Sequence, residues 1–584
     1  MSVDLAAGSS SKLFTRILFI LLTAAVFGLL INSRLRTDSD WRPAHLLLIA
    51  LFCGVLFYPI LSHTSRIGTS FVKVTEYLQR VREKNAASLT DVLREFPGTY
   101  QLYWQNNSIL SKHFIHLNAL VKIYLLRVSP NPNIALGKNG FFFEGYGDRK
   151  VEQGIVEQFD NIADYMGMYP FSELELWKWK QTLEERSYWL KQQGIEYVFV
   201  LAPTKALVYP EFLPDSLQKL AKGTRRYEQL SSYLRENAQV HFVDLLPALL
   251  EEKKKRDYPL LFYKTDFHWN FYGSLVAYQE IIRKMERFFP DYPLDPVLLD
   301  DFTVKIDEHW AHHRFMNMIG LPEQLHKNEH YLTMVPKPGT PLYGLADLPP
   351  EGIHDVYPPK SAITNSRGES MQIRTVCNPA APIPSILLLG DSFMEKAVYY
   401  FSAHAQKVFN RRTVVNFPHE VFSYEKPTFV IQEILNMFLL RPPPENLSGI
   451  RQPYLEAVFH SSPPAVPERI GKDNVIRTLS SNGLHVAIRM PVQNRRGKAS
   501  GYIIKITLSA PEDTRADFTL RLQLADGKEI AWATERINGS ETSLYAAVPS
   551  FVQAQELLLN REQKNGKKIS VRTVEFRCLT EKRK

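Results

Sequence analysis

Ser385–Leu389 (SILLL) runs without a break into Gly390-Asp391-Ser392. An apolar stretch without alternation leaves no face for water, so it reads as a strand covered on both sides, as in a parallel sheet. Glu196–Leu201 (EYVFVL) has the same character and follows a long charged helical stretch, Leu174–Gln193. Val240–Val243 is a third strand of this kind, and Thr413–Phe417 is expected to be another. Strands alternating with helical segments predict a three-layer α/β domain. A strand that ends in Gly-Asp-Ser and turns into a helix lifts the serine above the carboxyl edge of the sheet, where such sheets bind ligands.

The remainder of the 584 residues divides by composition. Ile17–Ile31 and Ala44–Leu61 are apolar runs close to the ~17–25 residues that a spanning helix needs. No small-residue cleavage site follows Ile31, which favours two anchoring helices within 1–65 over a signal peptide. Arg34, Arg36 and Arg42 lie between the runs, whereas Lys12, Arg16 and a basic stretch from Arg66 to Lys84 flank them. Counted alone, these charges place the body in the cytoplasm. Residues 66–133 read as a helical lead-in and 134–440 as the α/β domain, with a long insertion or lid over Pro336–Pro384. Pro442–Pro444 and Ser461–Pro467 mark a linker over 441–470. From 471 to 584 the reading is a β-sandwich, with strands at Leu484–Met490, Tyr502–Leu508, Phe518–Leu524 and Ile569–Phe576.

Net charge is +9, and the last segment carries much of the excess, which suits an acidic polymer. Trp532 and Tyr545 in that segment are candidate sugar platforms, although core packing is the commoner fate of such side chains. No run interleaves basic and aromatic residues as a nucleic-acid groove would. Three cysteines exclude a disulfide scaffold and an all-cysteine zinc site, and Cys377 could pair with Cys578 outside the cytoplasm. His309, His312 and His313 are candidate metal ligands, but no carboxylates fall at ligand spacing and no metal is expected.

Lys264–Asn270 (KTDFHWN) supplies what Ser392 lacks. A serine hydroxyl is a weak nucleophile until an imidazole takes its proton, and the imidazole needs a carboxylate to fix its tautomer. Asp266 and His268, two residues apart, can point the same way from a turn. Either motif alone is weak, since Asp-x-His also occurs as a loop pair or half a metal site. Their conjunction gives Ser392, His268 and Asp266 as candidate catalytic residues.

In five collinear blocks the chain resembles the SGNH hydrolase-like alginate O-acetyltransferases of the AlgX/AlgJ type. Gly137–Phe143 (GKNGFFF), Val198–Pro214 (VFVLAPTKALVYPEFLP), Lys264–Gly273 (KTDFHWNFYG), Leu387–Phe393 (LLLGDSF) and Lys426-Pro427 with Val430–Ile434 carry the resemblance, over about 95–440. It implies a circularly permuted SGNH-like sheet and an O-acetyltransferase in which Ser392 accepts acetyl, His268 acts as base then acid, and Asp266 orients His268. Asn270, Trp269, Tyr399 and Lys205 are candidates for oxyanion or substrate contacts, set against their ordinary readings as a cap, a wall, helix packing and a structural lysine. Asn436-Met437 stands where relatives often carry Glu-Arg, so that arginine's role has no counterpart. No Gly-rich cradle for acetyl-CoA is present and no cofactor is expected. The resemblance also implies an exported polysaccharide acceptor and a membrane-bound O-acyltransferase partner, hence an inner-membrane anchor with the body in the periplasm, against the charge count. A carbohydrate acetylesterase with the same triad and a non-catalytic scaffold of an exopolysaccharide complex are the alternative expectations.

Overall fold

In a computed structural model, the described residues are 109–145, 161–255, 259–307, 314–322, 331–342, 370–423, 425–464, 483–490, 501–510, 515–538, 540–560 and 569–579, with strand pieces at 151–152, 155–156, 360–364 and 475–480. The anchoring runs expected within 1–65, most of the lead-in helix and the His309–His313 cluster lie outside them. Among the described residues, no helix is long and apolar enough to cross a membrane. The chain forms two compact units, one of residues 1–130 and 319–325, the other of 131–318 and 326–584. The described part of the first unit is mainly α1 (Ile109–Leu120), which continues as a π-helical turn over Val121–Leu125.

The second unit contains a seven-stranded sheet built from β1 (Glu196–Ala202), β2 (His241–Asp244), β3 (Lys360–Thr364), β4 (Ser370–Cys377), β5 (Ile383–Gly390), β6 (Ala405–Arg412) and β7 (Phe429–Leu435). Their order across the sheet is β2-β1-β7-β5-β6-β4-β3. The five strands from β2 to β6 in that order are parallel, and β4 and β3 add antiparallel strands at one edge. The last five residues of β5 are buried, as its unbroken apolar run requires, and every residue of β7 is buried too, Gln432 and Glu433 included. The helix before β1 is α2 (Glu173–Lys191), started by a capping box in which Ser172 and Glu175 satisfy each other's backbone N–H groups.

Three expectations change here. The strand expected at Thr413–Phe417 lies earlier, as β6: its sequence AQKVFNRR buries Val408 and Phe409, and the more apolar run after it leaves the sheet. Pro336–Pro384 is not one loop, because β3 and β4 come from it and extend the sheet. The linker contains a helix, α3 (Ser448–Ser461). Its Leu455 and Phe459 share a core with Ile503, Tyr545 and Ala547 of the C-terminal region. Arg577 donates to the carbonyls of Phe459, His460 and Ser462 at 3.0, 3.2 and 3.1 Å, a cation at the helix C-terminus.

The C-terminal region comprises β8 (Val475–Ser480), β9 (Gly483–Arg489), β10 (Gly501–Ser509), β11 (Arg515–Leu524), β12 (Glu529–Asn538), β13 (Glu541–Pro549), β14 (Ala554–Asn560) and β15 (Ser570–Leu579). They form antiparallel sheets in the orders β8-β9-β14-β11-β12 and β13-β10-β15. Ile488, Phe518 and Leu557 from one sheet and Ile504, Leu544 and Phe576 from the other share one core. Trp532 and Tyr545 are 7% and 4% exposed, so neither offers a ring face to a sugar. Trp532 instead stacks on Trp177 of α2, centroids 5.6 Å apart. Cys377 in β4 and Cys578 in β15 are both free thiols, and no disulfide joins them.

Candidate active site

The site forms where separate sequence blocks are tied together by polar groups buried beneath them. Lys205, directly after β1 and only 2% exposed, donates to the carbonyls of Tyr263, Lys264 and Asp266 at 2.9, 3.0 and 2.7 Å. Its ammonium also sits 5.3 Å from the Phe143 ring centroid and 5.4 Å from that of Phe315. Phe142 N–H donates to the Lys264 carbonyl at 2.8 Å, which draws the Gly137–Phe143 block against the same loop. Asn270 caps α4 (Phe271–Met285): its side-chain oxygen accepts from Gly273 N–H at 3.0 Å and its amide donates to the Leu260 carbonyl. Trp269 is fully buried, and its indole N–H donates to the Phe393 carbonyl at 3.0 Å. That bond fastens the 264–270 loop to the turn after β5.

The three candidate catalytic side chains meet on this frame. His268 Nδ1 is 2.7 Å from Asp266 Oδ1, and His268 Nε2 is 2.7 Å from Ser392 Oγ. The same Asp266 oxygen accepts from the His268 backbone N–H at 2.9 Å, so one carboxylate fixes both the ring and the peptide that carries it. Ser392 begins the short helix α5 (Ser392–Glu395), whose N-cap Asp391 accepts from Phe393 N–H at 2.8 Å. Burial by itself would raise the Asp266 carboxyl, but its hydrogen bonds to His268, the imidazole's charge and Lys205 outweigh that and hold it well below the usual carboxylate range. Burial lowers the His268 imidazole below its ordinary 6.5, with Asp266 pulling the other way. The ring is therefore a free base at neutral pH, hydrogen-bonded on both nitrogens.

The remaining candidates have other work. The ammonium of Lys205 is committed to three backbone carbonyls, Asn270 to its cap and Trp269 to the wall beneath His268. Tyr399 is 5% exposed within the short helix Val398–Phe401, which makes it packing, not a rim residue. Asn436, at the departure from the relatives' pattern, is buried: its side-chain oxygen accepts from Thr204 N–H at 2.6 Å and its amide donates to Asp164 at 3.3 Å. It ties the end of β7 to the end of β1.

Sequence reasoning passed over Glu433. The Asp391 N–H donates to Glu433 Oε2 at 3.2 Å, and both side chains are buried. Burial, joined by repulsion from Asp391, pushes the Glu433 carboxyl well above its ordinary value, and burial with repulsion from Glu395 raises Asp391 to about 7 against its hydrogen bond with Glu433, so the pair retains a proton at neutral pH. A Cβ at Gly390 would stand 2.8 Å from Glu433 Oε2 and 2.7 Å from Met394 Cβ, so only glycine fits before the turn. A glutamate in the otherwise apolar run Phe429–Leu435 was the available signal. Glu144 was also missed: burial raises its carboxyl to about 8 against the pull of Lys205, within electrostatic reach of Asp266 and Arg314.

Residues 171–297 match the family model ALGX, described as an SGNH hydrolase-like domain, acetyltransferase AlgX. Within the α/β domain, that segment is similar to the AlgX-type acetyltransferase family. Solved structures similar to it include the O-acetyltransferase domain of Pseudomonas putida AlgJ (15% identity, 55% of this chain and 95% of that one, TM-score 0.33). Bacillus cereus PatB1 with a sulfonyl adduct is similar at 16% identity over 46% of this chain and 94% of that one, TM-score 0.32. Pseudomonas aeruginosa AlgX is similar at 14% identity over 76% and 94%, TM-score 0.31. Likeness at that level carries no weight for activity. No curated protein matches the chain. The α/β domain reaches its site residues through β1, β5 and β7, and the matched segment 171–297 contains Lys205, Asp266 and His268 but ends before Ser392.

Proposed function

We propose that the AlgX-type domain is an O-acetyltransferase that carries acetyl on Ser392 and delivers it to a hydroxyl of an exported polysaccharide. The observation that carries this reading is the unbroken line Asp266–His268–Ser392, two contacts of 2.7 Å at the carboxyl end of a parallel sheet. In this reading His268 Nε2 takes the proton of Ser392 Oγ as the oxygen attacks the donor acetyl carbonyl, and Asp266 stabilises the imidazolium. The tetrahedral oxyanion is met by the Ser392 backbone N–H at the strand–helix junction. His268 then returns the proton to the leaving alcohol, leaving acetyl-serine. In the second half the acceptor hydroxyl gives its proton to His268 and attacks the acetyl carbonyl, and Ser392 departs with the proton back on Oγ. The order Asp–His–Ser along the chain is that of a circularly permuted SGNH sheet.

The apolar runs of 1–65 anchor the enzyme in the inner membrane in this reading, with the body in the periplasm. CoA is absent there, so a membrane-bound O-acyltransferase supplies the acetyl group. The experiment is to give the full chain an isotopically labelled acetyl ester with and without an oligosaccharide acceptor. Acetyl on the Ser392 peptide by mass spectrometry, discharged faster with acceptor and recovered on it, is the expected result. Release that ignores the sugar identifies an acetylesterase, and failure of Ser392 to take up label defeats the enzyme reading.

A further inference from the structure

Of the fourteen large apolar side chains that the described residues leave exposed, eight fall between Phe114 and Val128. Phe114, Leu117, Val121 and Tyr124 succeed one another at intervals of three or four, a single stripe along α1 and its π-helical turn, and exposed Val128 follows just beyond the helix. Leu125 beside the stripe is 75% exposed, while Ala119 on the far side is fully buried. The helix thus has an inward face already covered and a second apolar face turned outward, where a helix meeting only water carries polar residues.

Two features of the chain indicate what covers that second face. From Phe96 to Val128 there is no aspartate or glutamate, while Lys112, Lys122 and Arg127 are present. An acid-free, cationic and apolar segment matches the boundary between anionic headgroups and acyl chains. The segment also follows the two apolar runs of near-spanning length at 17–31 and 44–61. We propose that residues 109–128 lie flat in the surface of an anionic bilayer, with the Phe114–Tyr124 stripe in the acyl boundary and the Lys122 and Arg127 side chains toward lipid phosphates. This inference rests on the membrane-anchor reading of residues 1–65 and adds a contact of another kind, lying on the membrane and not crossing it.

The test uses the full chain, with Cys53, Cys377 and Cys578 replaced by serine, in vesicles of phosphatidylcholine and phosphatidylglycerol. Single labels of an environment-sensitive fluorophore are placed by Leu117→Cys, Leu125→Cys, Ala50→Cys in the second apolar run and Lys528→Cys in a solvent-facing turn of the sandwich. At positions 117 and 125, brominated-acyl lipids remove most of the emission and aqueous iodide removes little, whereas position 528 shows the reverse. Iodide quenching at 117 and 125 equal to that at 528 overturns the inference, since the stripe then faces water. Shielding of both positions from both quenchers also overturns it, because a protein then covers the stripe. Lipid quenching at position 50 without it at 117 and 125 sinks this inference and leaves the anchor standing, while its absence at 50 defeats the anchor separately.

Discussion

The α/β domain and the C-terminal sandwich are both well packed, but they bury different things. The α/β domain encloses Asp164, Arg186, Lys205, Asp266, Asp391 and Glu433, each tied to a loop or to another strand. Among the described residues of the sandwich strands, the buried polar side chains are Thr507 and Glu535. Glu535 is occupied at the junction, where Arg451 of α3 donates to it at 2.7 Å. Burying a polar group is unfavourable unless it is hydrogen-bonded, and folding alone does not require it. The α/β domain accepts that cost where irregular backbone must be held to fractions of an ångström. The sandwich is a shape made by apolar area, and its described interior holds no chemistry.

That contrast is broken most directly at Ser392. Its hydroxyl meets His268 and holds no loop, so Ser392→Ala should leave the unfolding transition in place while turnover of a small acetyl ester falls by at least about a thousandfold. Turnover within tenfold of the parent would show that the hydrogen-bonded line is structural. Lys205→Met tests the other half of the contrast, since it leaves three carbonyls facing an apolar stem. Loss of about 3–5 kcal/mol in urea denaturation is expected, together with lost activity as the Tyr263–Asp266 loop relaxes. A stable Lys205→Met enzyme with full turnover would mean the loop holds its own shape. Leu520→Ala in the sandwich core should cost about 2–5 kcal/mol through the cavity it opens, with the rate on a small ester unchanged. A rate loss there would couple the sandwich to the site.

How much of this was legible in the sequence follows the same division. β1, β2 and β5 declared themselves because a strand covered on both faces must be apolar, whereas β7, interrupted by Gln432 and Glu433, was legible only through the resemblance of its block. The Asp266, His268 and Ser392 positions were readable because a serine nucleophile needs those partners, whatever the fold. β14 was not legible: AQELLLN has the composition of a helix, and only pairing with β9 on one side and β11 on the other makes it a strand. β6 was misplaced because the polar residues spread along it hid the four positions it buries, one of them Asn410. Lys205 stood out as a lysine in a recognisable block, but its task could not be read, since its partners are backbone carbonyls about 60 residues away and carbonyls carry no sequence signature. Glu433 was missed for the same reason: its partner is the Asp391 N–H.

The smallest expected effect is the most diagnostic of the site's electrostatics. Burial depresses His268 below 6.5 and Asp266 partly restores it, while Asp266 itself stays ionised far into acid. The base is active when neutral, so activity should be flat through neutral pH and fall as pH drops through a value below 6.5. Because protonation of a buried, depressed imidazole is less favourable folded than unfolded, stability should decline over the same acid interval and not on the alkaline side. Asp266→Asn removes the carboxylate's charge and its hydrogen bond, both of which raise His268, and should move the acid limb to lower pH. A limb that stays in place after Asp266→Asn would mean another group is titrating.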